Sequence, residues 1–163
     1  MFLVASKFPA RALAGIAIAS FAAVALALIA QHAFGVKPCP WCVMQRGIFI
    51  LIGVISLFGW LVAGLPRKGA LVLVIALALA GVAAAVYQNQ VASQSLSCAQ
   101  TLADRINTYL ELEDRLPYVF MVTGNCAEAA AYRLLGLPYE VWSGLLYLAT
   151  AAAAFIALRQ RSR

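Results

Sequence analysis

Four cysteines, Cys39, Cys42, Cys98 and Cys126, carry the most evident chemistry of this chain. In Cys39-Pro40-Trp41-Cys42 two residues separate two thiols. That spacing lets the sulfurs close a small ring, as in redox-active pairs. A stapling disulfide gains from closing a long loop, and this one closes almost none. The pair therefore reads as reactive. CxxC also binds zinc, and the absence of a βαβ pattern around it excludes a thioredoxin domain. Pro40 suits the first turn of a helix that starts at or just after the pair. Cys42 would then sit at a helix N-terminus, where the dipole favours a thiolate. Arg46 lies four residues on, hence on the same face one turn further. A guanidinium there stabilises a thiolate and can hold an anionic partner. The plainer reading of Arg46 is a side chain reaching for lipid headgroups.

Cys98 and Cys126 are separated by 28 positions. A structural disulfide would explain them, and four cysteines permit three pairings. The local sequence suggests more. Gly124-Asn125-Cys126-Ala127-Glu128 reads as a turn, with Asn125 capping a short helix and Glu128 at its third position. Leu134-Leu135-Gly136-Leu137-Pro138 would end that helix. Cys126 would thus occupy a first helical turn. Cys98 follows the polar run Ser93-Gln94-Ser95-Leu96-Ser97, which suits exchange with another protein.

The elements that must position these residues are apolar. The chain has 163 residues, 64% of them apolar and 11% charged, with mean hydropathy +0.90. Eighteen charged side chains cannot cover a soluble domain of this size. Four apolar stretches, about 12–34, 47–63, 70–87 and 141–158, contain no Asp, Glu, Lys or Arg. Each is near the roughly 20 residues needed to span a bilayer, and in lipid each must be helical. The expected fold is an all-α, four-helix transmembrane bundle forming one domain over 1–163. The first stretch exceeds the roughly 7–15 residues of a signal-peptide apolar region, which favours an uncleaved anchor. Gly15, Ala19, Ala23 and Ala27 recur every four residues, as do Ala76, Ala80 and Ala84, and such stripes let helices approach closely.

Seven basic residues, Lys7, Arg11, Arg67, Lys68, Arg159, Arg161 and Arg163, fall on one side of this topology. Five, Lys37, Arg46, Arg105, Arg115 and Arg133, fall on the other. Both termini are therefore expected in the cytoplasm, with loops 35–46 and 88–140 facing outward. All four cysteines lie in those two loops, as suits an oxidising compartment. The long loop also holds all six acids, which argues against nucleic acid as a partner. Leu102, Ile106, Tyr109 and Leu110 follow helical spacing there, and Pro117 to Val122 is an apolar run suited to the membrane interface. Such a run would hold the long loop near Cys39 and Cys42. Two outward dithiols suggest relayed thiol–disulfide exchange. The electrons need an acceptor. Neither a C-x-x-C-H haem motif nor a dinucleotide fingerprint is present, and His32 is the single histidine. A lipid-soluble quinone is the natural remainder.

In these features the sequence resembles the bacterial disulfide bond formation protein B (DsbB) family. The resemblance rests on Gln31-His32, Lys37-Pro38-Cys39-Pro40-Trp41-Cys42, Arg46, Cys98, Gly124-Asn125-Cys126-Ala127-Glu128 and Leu135-Gly136-Leu137. It covers nearly the whole chain and implies a multi-pass protein of the bacterial inner membrane, with its loops in the periplasm. It further implies that a Cys98–Cys126 disulfide oxidises a periplasmic DsbA-type dithiol through a mixed disulfide at Cys98. Cys126 would then exchange with Cys39, and Cys42 would pass electrons to ubiquinone or menaquinone, with Arg46 binding the quinone. A histidine that the family carries near the end of the third helix has no counterpart, since this chain reads Tyr87-Gln88-Asn89-Gln90. Two other classes are a metal site made of the four cysteines and a passive four-helix scaffold. Structural zinc takes cysteines in close pairs, and Cys98 and Cys126 are far apart. Transporter helices often carry intramembrane charges, and these stretches carry none.

Overall fold

The computed structural model describes residues 7–94 and 101–160. Among the described residues, four helices are long and apolar enough to cross a membrane. They are α1 (Lys7–Phe34), α2 (Pro40–Leu61), α3 (Leu65–Gln90) and, last in the chain, α8 (Tyr139–Arg159). The protein is an all-α, four-helix membrane bundle. Between α3 and α8 come a 3₁₀ turn (Ala92–Gln94), α4 (Leu102–Tyr109), α5 (Leu112–Arg115), α6 (Pro117–Phe120) and α7 (Cys126–Ala131). A hairpin of β1 (Arg133–Leu134) and β2 (Leu137–Pro138) completes this segment.

Local chemistry sets the helix ends, and they differ from the apolar stretches. Helix α2 begins inside the cysteine motif at Pro40, seven residues before the hydrophobic run, with Cys39 as its N-cap. The expected outer loop 35–46 therefore shrinks to Gly35–Cys39. Hydropathy marks what lipid touches, whereas proline and a capping group mark where hydrogen bonding starts. At the other end of the bundle, Gly64 adopts φ 76° and Pro66 opens α3. Arg67 Nε donates to the Gly59 carbonyl at 3.1 Å, satisfying an otherwise open carbonyl near the end of α2.

The core runs along all four long helices and includes Leu13, Ile16, Val24, Phe49, Ile52, Leu71, Val74, Ala78, Tyr147 and Ala154. Large apolar side chains such as Ile18, Leu26, Leu61 and Ile156 point outward, as lipid-facing residues do. The small-residue stripes form the expected seams only in part. On α3 the buried residues are Ala70, Leu71, Val74, Ala78, Gly81, Ala84, Ala85 and Gln88, so Ala84 of the stripe is buried while Ala76 and Ala80 are exposed. On α1, a Cβ at Gly15 would meet nothing within 4 Å among the described residues, and Ala19, Ala23 and Ala27 line a cavity. Four-residue spacing identifies a face, but the partner's bulk decides which face is used. Here Gly81 is indispensable, since a Cβ there would lie 2.6 Å from the Tyr147 ring. That ring stacks on Phe49 with centroids 4.1 Å apart, and its hydroxyl donates to the Gln45 carbonyl at 2.8 Å.

In the long connection, α4 forms where the periodicity placed it, but its apolar letters do not face the core. Leu102 and Tyr109 are exposed, and Ala103 and Asn107 are buried. Helix α7 ends at Ala131, before the leucine-rich stretch expected to terminate it. That stretch instead forms the hairpin, pairing Arg133 with Pro138 and Leu134 with Leu137. Leu135 and Gly136 make the turn, both at positive φ, which is the geometry tight hairpins require.

Candidate redox site

Cys39 and Cys42 are free thiols, with their sulfurs 3.1 Å apart. As N-cap, Cys39 accepts the Cys42 backbone N–H on its sulfur at 3.4 Å. Cys42 occupies the third helical position, close to the positive end of the α2 dipole. The two thiols are unequal. Cys39 is fully buried, whereas Cys42 is partly open and lines a cavity. Its hydrogen bond to Cys42, and then burial, raise Cys39 far above the ordinary thiol range. Cys39 is therefore the harder of the two sulfurs to deprotonate.

Gln88, on α3, completes the pair. It is 1% exposed, and its Nε2 donates to Cys42 Sγ at 3.2 Å, with Cys39 Sγ at 3.6 Å. Its Oε1 accepts from Gln45 Nε2 at 2.8 Å, which fixes the amide with its nitrogen toward sulfur. In the sequence Gln88 stands out only as part of the stretch lacking a histidine. The signal it offers is an amide closing an apolar helix at the level of the outer loops.

Arg46 is buried one turn below Cys42. Its Nη1 donates to Gln31 Oε1 at 2.6 Å and to the Val119 carbonyl at 2.8 Å. No carboxylate pairs with it among the described residues. It is thus a buried cation tied to α1 and to the end of α6, not a side chain snorkelling at the surface.

The long connection docks directly over the pair. Thr123 and Gly124 N–H groups both donate to the Pro38 carbonyl at 3.1 Å, and Asn107 Nδ2 donates to the Pro40 carbonyl at 3.0 Å. A Cβ at Gly124 would meet Lys37 Cβ at 2.8 Å, so only glycine permits this approach. His32 stacks on Tyr118 with centroids 4.0 Å apart, which places it as a packing residue. Asn125 and Glu128 form the anticipated capping box. Cys126 opens α7, is fully buried and is disulfide-bonded. A disulfide sulfur is not available as a thiolate ligand, which counts against a metal site built from all four cysteines. Cys126 shares a buried cluster with Cys39, Trp41 and Ala129. Cys98 lies outside the described residues.

Cys42 also lines a cavity of about 730 Å³ that opens between α1 and α8. Ala19, Ala23, Ala27, Leu145 and Leu146 form its apolar walls. Cys42, Arg46, Gln88 and Glu140 are among its few polar lining residues. This size and balance suit a small organic ligand with a polar head. The arrangement sets a free thiol pair against disulfide-bonded Cys126 and against an apolar cavity, which suits thiol–disulfide exchange.

The sequence model of the family described as "Disulfide bond formation protein DsbB" matches residues 9–157. The chain is 37% identical over 142 residues to "Disulfide bond formation protein B" of Azoarcus sp. (strain BH72), covering 84% of this chain and 82% of that protein. It is 38% identical over 144 residues to "Disulfide bond formation protein B 2" of Burkholderia lata, covering 86% and 83%. It is 35% identical over 170 residues to "Disulfide bond formation protein B" of Verminephrobacter eiseniae, covering 96% and 93%.

Proposed function

The chain belongs to the disulfide bond formation protein DsbB family, and from that premise we propose that it re-oxidises a periplasmic DsbA-type dithiol protein and delivers the electrons to membrane quinone. The observation that carries this reading is the position of the Cys39–Cys42 pair. One sulfur is buried beside disulfide-bonded Cys126, and the other lines the apolar cavity. The protein works in the bacterial inner membrane with its cysteines on the periplasmic side.

The partner's thiolate attacks Cys98 in a Cys98–Cys126 disulfide, forming a mixed disulfide and releasing Cys126. The second partner thiol resolves that bond, and the partner leaves oxidised. Cys126 attacks Cys39 within the oxidised Cys39–Cys42 pair, and Cys42 departs as a thiolate. Cys98 then attacks Cys126 and restores the first disulfide, leaving the Cys39–Cys42 pair reduced. Gln88 Nε2 and the α2 dipole stabilise the departing sulfur. The polar end of the cavity fits a quinone head group, with Arg46 and Cys42 holding it and the alanine wall taking the isoprenoid tail. When bound, the quinone, either ubiquinone or menaquinone, supplies a two-electron acceptor. Arg46 offers charge-assisted hydrogen bonds to a carbonyl oxygen, and the apolar walls keep water from the sulfur.

The test is turnover. Purified protein is mixed with reduced DsbA-type partner and a soluble ubiquinone, and quinone absorbance is followed. Cys42→Ser and Cys98→Ser should each abolish turnover. Full activity in both variants would overturn the proposal.

A further inference from the structure

We propose that Glu140 is the acid that protonates a quinone carbonyl oxygen in the cavity between α1 and α8. The inference rests on the reading above, that this cavity takes a quinone. Glu140 is 3% exposed, at the second position of α8. Its Oε1 accepts from Asn89 Nδ2 at 3.4 Å, and its Oε2 has no hydrogen-bond partner among the described residues. A buried carboxyl oxygen without a partner is costly, most of all in a membrane protein, and such groups mark functional sites. The side chain lines the same cavity as Cys42, Arg46 and Gln88.

The other ionisable groups around the cavity are unsuited to the task. Arg46 does not release its proton. Lys37 is exposed and pairs with Glu128 at 3.5 Å. Cys42 is the electron donor, and Tyr139 carries a phenol where this step calls for a carboxylic acid. Glu140 is the one carboxyl group among the described lining residues.

Oxidation of the Cys39 and Cys42 thiols breaks two S–H bonds and forms one S–S bond. Two electrons and two protons are released. A quinone takes up two electrons and two protons to become the hydroquinone. The Glu140 carboxyl gives one of those protons to the carbonyl oxygen at its end of the cavity, breaking its own O–H bond as the new one forms. It regains a proton from water on the loop side. The second proton also comes from water, which receives those that leave the thiols.

The fully oxidised protein has no electrons to give, so binding can be observed without turnover. It is titrated with a short-chain ubiquinone while tryptophan fluorescence and the infrared carboxyl stretch are recorded. We expect saturable quenching together with a displaced carboxyl band. That band should disappear in Glu140→Gln and move in frequency in Glu140→Asp. With reduced protein, Glu140→Gln should slow quinone reduction by about 100-fold, the scale of one general acid, and Glu140→Asp should recover most of the rate. Saturable quenching with no carboxyl band dependent on Glu140 would overturn the assignment and leave the cavity reading standing. Wild-type quinone reduction in Glu140→Gln would do the same. An absence of saturable quenching would overturn the cavity reading, and this inference with it. If Glu140→Gln does not fold, the wild-type and Glu140→Asp spectra still decide the matter.

Discussion

Replacing Gln88 with leucine tests the claim that an amide holds the Cys42 sulfur ready to react. The change removes the donor 3.2 Å from Cys42 Sγ and leaves the buried Gln45 amide, 3% exposed, without its acceptor. A hydrogen bond to a charged group contributes about 1.5–3 kcal/mol. At about 1.4 kcal/mol per factor of ten, Cys42 should react roughly ten- to a hundredfold more slowly. The orphaned Gln45 amide should cost about 1–3 kcal/mol of stability. Alkylation of reduced protein by iodoacetamide at fixed pH, with Cys42 modification read by mass spectrometry, measures the first effect. Thermal denaturation in detergent measures the second. The double variant Gln45→Leu/Gln88→Leu separates them, because it removes both members of the polar pair. It should regain stability while Cys42 stays slow. If Cys42 in Gln88→Leu were alkylated at the wild-type rate, the amide would be a packing group and the reasoning would be wrong.

Three further outcomes follow from the same geometry. Arg46→Ala removes the cation from the cavity wall and its bonds to Gln31 and Val119, and the apparent affinity for soluble quinone should weaken about tenfold or more in a turnover titration. Gly81→Ala drives a methyl group into the Tyr147 ring, which should cost about 1–3 kcal/mol as overpacking and appear as a lower denaturation midpoint. Cys39 has its folded-state ionisation raised above the ordinary 9.0, so the folded protein keeps a proton that the unfolded chain releases. The reduced protein should therefore hold its Cys39-dependent stability below about pH 9 and lose it progressively above. Denaturation against pH, compared with Cys39→Ser, should show a steeper alkaline decline for the wild type.

The bundle was legible because lipid forces a simple code: long apolar runs without charge must be helices. The capping box at Asn125 and Glu128 was equally legible, being a local pattern. What escaped the letters depends on packing between distant segments. Ala76, Ala80 and Ala84 look like one seam, but only Ala84 is buried, and Tyr147 packs on the face carrying Gly81. Helix α2 began earlier than its hydropathy because Pro40 and the Cys39 sulfur set its start. Leu134 to Pro138 turned back as a hairpin where a simple helix stop was expected. At the site, the cysteines and Arg46 could be picked out by type and spacing. Gln88 and Glu140 could not, since one is an ordinary amide at a helix end and the other one of six acids assigned to a loop. Their significance arises only when α3 and α8 bring them to the cavity that Cys42 lines.

The unequal burial of the two neighbouring sulfurs has a consequence for the direction of traffic. Cys42 borders the cavity between α1 and α8, while its neighbour Cys39 is enclosed in the cluster that also holds Cys126. Each sulfur of the pair thus has a different audience: a small molecule in the cavity reaches Cys42, and a bond to Cys39 has to be made from within the protein.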